Sequence, residues 1–96
     1  MIYKVKIYQP YEPTFMVREN TTYKKEDYNH VWTSNYLEES EINMNEFLEH
    51  IFAQLNMGQH PENYRGHSLS VGDLVQVNDD LYVVDSFGFK KIEWGA

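Results

Sequence analysis

The stretch from His60 to Phe89, HPENYRGHSLSVGDLVQVNDDLYVVDSFGF, constrains the fold more than any other part of this chain. Pro61, Gly66 and Gly72 punctuate its first half as a loop, because Pro lacks a backbone donor and Gly admits turn conformations closed to other residues. Leu74 to Val77 and Leu81 to Val84 then alternate on either side of Asn78-Asp79-Asp80, a short run of turn formers, which predicts an antiparallel hairpin. Phe87, Phe89 and Ile92 extend the apolar row into a further strand, with Gly88 marking a bulge or a close backbone approach.

The rest of the chain supplies partners for this hairpin. Ile2 to Tyr8 alternates with Tyr3, Val5 and Ile7 on the inward parity, and Pro10 and Pro13 end it. Phe15 to Arg18 reads as a short second strand. Tyr28 to Tyr36, rich in aromatic and β-branched residues, reads as a strand whose irregular pattern suggests an edge or a bulge. A helix is predicted over 44–57, where apolar residues at 44, 47, 48, 51, 52 and 55 paint one face at a period of about 3.6 residues. Asn43 is its N-cap with Glu46 three residues on, Ile42 can staple onto Phe47, and Gly58 supplies the C′ position. The expected architecture is an α+β single domain spanning 1–96. It has a curled, mainly antiparallel sheet of about five strands, with one amphipathic helix (44–57) packed on one face and the C-terminal hairpin and the 87–92 strand at its centre.

Composition narrows the function. An apolar content of 42% with 16% aromatics is that of a folding chain. The absence of Cys removes disulfides, thiolate nucleophiles and sulfur-based zinc sites. Neither a membrane span nor a signal-peptide core is legible, so a soluble cytoplasmic protein is expected. A net charge of −7 argues against direct nucleic-acid binding, which depends on Lys and Arg neutralising phosphates. It suits a protein partner with a basic, nucleic-acid-handling surface. The aromatics exceed what one small core can bury, which leaves some for a surface. Tyr23, Tyr28, Trp32 and Tyr36, with Glu38, Glu39 and Glu41, form the candidate partner-binding segment.

His60, His67, Ser68 and Asp73 form a candidate ligand-binding loop. With Ser70 and Asp85 they offer the residue types of a hydrolytic relay, but no nucleophile elbow or oxyanion-hole pattern accompanies them, and no catalytic residue is assigned. No metal site is expected either, because His60 and His67 sit across a Pro- and Gly-containing loop and share no helical face. Asp79-Asp80 reads as a hairpin turn outside any EF-hand spacing, and no cofactor motif is present.

Several blocks also carry a family resemblance. They are Ile7-Tyr8-Gln9, the Tyr28 to Trp32 segment, Leu48 to Phe52 running into Leu55-Asn56, and most strongly His60 to Val75 followed by Tyr82 to Phe89. Together they resemble the YodL-like domain family along nearly the whole chain. The resemblance implies a setting in mobile elements, plasmids and phages of Gram-positive bacteria, near antirestriction and conjugation functions, with no enzymatic activity. The expectation is therefore a non-enzymatic protein-interaction domain of a mobile genetic element or phage, including an acidic counter-defence role of antirestriction type. The alternatives are a small-ligand or nucleotide-binding module using the 60–73 loop, and an uncharacterised hydrolase.

Overall fold

The computed structural model describes residues 1–12, 22–57 and 60–95. Five strands, β1 (Ile2–Pro10), β2 (Tyr28–Leu37), β3 (Leu74–Val77), β4 (Asp80–Asp85) and β5 (Gly88–Ile92), join one helix, α1 (Met44–Asn56). The sheet runs β2-β1-β3-β4-β5 and every neighbouring pair is antiparallel. The expected α+β sheet and helix are therefore present, but the centre lies elsewhere: β3 is the middle strand, and β5, expected at the centre, is an edge. Its place follows from connectivity, because β1 takes β2 on one side and β3 on the other, leaving β4 and β5 to continue outward as a meander. β2 and β3 run parallel with β1 between them. Such a pair needs a long crossover, which α1 provides.

The start of α1 follows the sequence. Asn43 Oδ1 accepts from the Glu46 amide at 3.1 Å, satisfying one of the donors that a helix N-terminus leaves open. Ile42 packs against the cluster that holds Phe47. The helix stops at Asn56, and Met57 is extended and exposed. Gly58, expected at C′, and the Phe15 to Arg18 strand lie outside the described residues.

Alternation along the strands builds two cores, one on each face of the sheet. Val5, Ile7, Val75, Val77 and Val84 face α1 and meet Phe47, Leu48, Ile51 and Leu55. On the other face Tyr8, Leu74, Leu81 and Val83 are covered by Tyr23, Tyr28, Ile92 and Trp94. A parallel bridge between Tyr23 and Trp94 joins the covering segments. This second core absorbs aromatics that the sequence had left for the surface. Among the described aromatics only Tyr11 and Phe87 are strongly exposed.

The irregular pattern of β2 has a physical cause. Register slips between Ile7 and Tyr8, which pair with Trp32 and His30, so Val31 is an extra residue and both Val31 and Trp32 turn into the helix-side core. Phe87, Phe89 and Ile92 do not form one row: Phe89 faces α1, Ile92 faces the second core, and Phe87 sits in the β4–β5 turn. Gly88 is required there by its φ of 91°, since a Cβ at this position would meet nothing within 4 Å. A close backbone approach is therefore not the reason for this glycine.

Candidate functional site

The 60–73 loop is held at four places. Tyr64 N–H donates to Pro61 O at 2.9 Å, closing a turn, and Arg65 N–H donates to Val31 O at 3.1 Å, which lays the loop along β2. Asn56, the last residue of α1, clasps Leu69 from both sides, its Oδ1 accepting at 2.6 Å and its Nδ2 donating at 3.0 Å. The Asp73 amide donates back to Ser70 O at 3.0 Å, with Gly72 at φ 96° in the third position, as a type II turn requires.

Inside these ties lies a buried polar hub around Gln9, which is 4% exposed, and Asp73, which is 1% exposed. The Gln9 amide has two protons, and its two short bonds run to His67 O at 2.9 Å and Asp73 Oδ2 at 3.0 Å. Gln9 Oε1 accepts from the His67 amide at 3.1 Å. Asp73 Oδ2 also accepts from the Ser70 amide at 3.0 Å. Tyr64 adds its hydroxyl to His67 O at 2.6 Å. His67 Nδ1 lies 2.6 Å from Ser68 O, and a carbonyl only accepts, so Nδ1 carries a proton. The 3.2 Å approach of Gln9 Nε2 to that nitrogen is therefore a contact without a hydrogen bond. Among the described residues no buried side-chain nitrogen or oxygen lacks a partner.

Burial pushes the Asp73 carboxyl above its ordinary range, and the Ser70 amide, the Gln9 amide and the charge of His67 pull it part of the way back. Burial, together with the Asp73 charge, pushes the Tyr64 phenol up to about 12, so it stays a hydrogen-bond donor at neutral pH. A carboxyl raised on folding favours the protonated chain. Its stabilising contribution is present at low pH and is lost as pH rises through the folded value. The unfolding free energy of the wild type minus that of Asp73→Asn should therefore fall as pH rises from about 4 toward neutrality and then level off. Urea titrations of both proteins at several pH values would measure this, and a flat difference would show that Asp73 ionises as freely folded as unfolded.

The four loop residues singled out in the sequence do not converge on one point. His60 Nε2 approaches Ser68 Oγ at 3.3 Å on the exposed side, while Gln9 links Asp73 to the backbone carbonyl of His67. Ser68 thus faces His60 while the Asp73 carboxylate is bonded to the Gln9 and Ser70 amides and to no histidine ring, and no continuous Ser-His-Asp line forms. Among the described residues no group of three or more His, Asp or Glu is placed to hold a metal ion. The sequence reading passed over Gln9, although a signal was there: it extends the inward parity of Tyr3, Val5 and Ile7 with a polar residue that needs buried partners.

The aromatic members of the partner-binding segment turn inward. Tyr23 and Trp32 are buried and Tyr28 and Tyr36 half-buried. Trp32 Nε1 donates to Asn63 at 2.9 Å, and Tyr36 donates to Gln54 of α1 at 2.6 Å. What this segment shows to solvent is carboxylate, with Glu39 and Glu41 exposed and Glu38 half-buried.

The YodL-like domain model matches residues 3–94. The chain belongs to this family. The match spans both halves of the Gln9 to Asp73 hub, so the polar clasp lies wholly within the YodL-like domain. Searches of curated proteins and of solved structures return no match. Among the described residues of this YodL-like domain, no helix is long and apolar enough to cross a membrane.

Proposed function

We propose that this YodL-like domain is a non-enzymatic interaction module of a mobile genetic element or phage. In this reading its acidic, helix-bearing side engages a basic, nucleic-acid-handling protein in a counter-defence role. One observation carries the reading: the charge is distributed by face. Between Lys25 and Arg65 the chain has no Lys or Arg, and Glu38, Glu39, Glu41, Glu46 and Glu49 fall on α1 and the loop that leads into it. On the sheet, Lys4, Lys6 and Lys90 alternate onto the opposite face, and Lys91 on the helix side is already paired with Asp80 at 3.2 Å. A one-signed face steers association with the complementary charge and is sensitive to salt.

The test is capture from lysates of Gram-positive bacteria with the wild-type domain and with a variant carrying Gln at positions 39, 41, 46 and 49. These glutamates are all exposed, so the variant keeps the core intact. The expected result is a basic protein retained at low salt by the wild type and lost both with the variant and at high salt. Equal capture by the two proteins would remove the acidic face from the explanation.

A further inference from the structure

The strongest feature outside the loop hub is an open groove of 500 Å³ between α1 and the β4–β5 turn. Glu49 and Phe52 of α1, Val71, and Val84, Asp85 and Phe89 of the hairpin line it. Phe52 and Phe89 meet edge-on at 6.3 Å and are only partly buried, so the floor is aromatic and still open to solvent. Phe87, in the turn between the lining residues Ser86 and Gly88, is 99% exposed. A fully exposed aromatic next to an apolar cleft is costly in water and is the usual material of a protein interface. The charges at the groove have one sign. Glu49 of α1 stands in it, Asp85 turns its side chain with Leu81 and Val83 toward the second core, and among the described residues no Lys or Arg lines the groove.

We infer that this groove docks a protein segment carrying a large apolar side chain flanked by Lys or Arg. The apolar side chain lies on Phe52, Val84 and Phe89, and the flanking cation meets Glu49. Phe87 closes over the docked segment from the turn side. The inference rests on the proposed interaction role and specifies what the basic partner presents. A second copy of this domain is a poorer occupant, because each copy carries a net charge of −7 and would bring no cation to Glu49 at its own groove.

The experiment uses the full chain and three synthetic peptides of equal length: one with a central Trp flanked by Arg, one with Ala in place of Trp, and one with Glu in place of Arg. Amide shifts are followed by NMR up to millimolar peptide. The expected result is saturable shifts at Glu49, Phe52, Asp85 and Phe89 with the first peptide only, weakened at least tenfold by Glu49→Lys or by Phe87→Ser. Both substituted side chains are exposed. Unchanged thermal unfolding of each variant would show that folding is not the cause. Shifts elsewhere or none, or equal binding of the Glu-flanked or Ala peptide, would overturn the groove assignment. So would concentration-dependent dimerisation that Phe87→Ser abolishes, since the occupant would then be a second copy. The two proposals fail separately: partner capture that survives Glu49→Lys and Phe87→Ser leaves the acidic face standing and removes the groove.

Discussion

Replacing Gln9 by Leu is expected to lower the unfolding free energy by about 3 kcal/mol, with the 60–73 loop opening first. The estimate comes from what the substitution strands in a dry place. The His67 amide loses Gln9 Oε1 and the buried Asp73 carboxylate loses one of its donors. An orphaned buried polar group costs about 1–3 kcal/mol, and more when it is charged. Leu nearly matches the volume, so the polar loss dominates over any cavity. Urea unfolding gives the total, and amide exchange at His67 and Ser70 reports whether the loop opens ahead of the sheet. A loss below about 1 kcal/mol would mean that the clasps at Val31 and Leu69 hold the loop without the hub. Gly66 belongs to the same arrangement. A Cβ there would run into the Gln9 side chain and Val31, so the loop passes over the hub closely enough to exclude any side chain.

The sequence makes the strands and the helix legible because each buries a face, and burial leaves a period. Tyr3, Val5 and Ile7 predict β1, and the spacing from Met44 to Leu55 predicts α1 within a residue or two of its observed end. Strand order is not written in a period. β5 looks central when read beside its hairpin partner, yet it is an edge because β1 is claimed by β2 and β3. The surplus of aromatics misleads for a similar reason. A single core could not hold them, but Tyr8, Tyr23, Tyr28 and Trp94 form a second one on the far side of the sheet. In the candidate site, His67 and Asp73 stand out as residue types, while Gln9 joins them from a strand 58 and 64 positions away. Contacts at such separation leave no local pattern. What remained visible was only a polar residue where the parity of β1 asks for an apolar one.

The helix-side core is the larger of the two, and the other large expected effect falls on it. Phe47→Ala should destabilise the domain by about 3–5 kcal/mol, the range for emptying a buried aromatic site. Phe47 is 5% exposed and is the residue through which α1 grips the β1–β2 end of the sheet. Its ring lies 5.5 Å from that of Tyr3 and 5.4 Å from that of Tyr36, the second contact edge-on. Those rings sit on paired residues of β1 and β2, so one side chain ties the helix to both strands at once. Leu48, Ile51 and Leu55 are as deeply buried, and Leu48→Ala falls in a slightly lower range of about 2–5 kcal/mol. The contrast lies in coupling. A double-mutant cycle between Phe47→Ala and Tyr36→Leu should return about 1 kcal/mol of interaction energy, the scale of an aromatic pair beyond its burial. Leu48→Ala with Tyr36→Leu should be close to additive. Because whole domains are stable by only about 5–15 kcal/mol, Phe47→Ala should take a large part of the total, visible as a fall in the urea midpoint. A loss under about 1.5 kcal/mol would show instead that Leu48, Ile51 and Leu55 hold α1 in place without the aromatic grip.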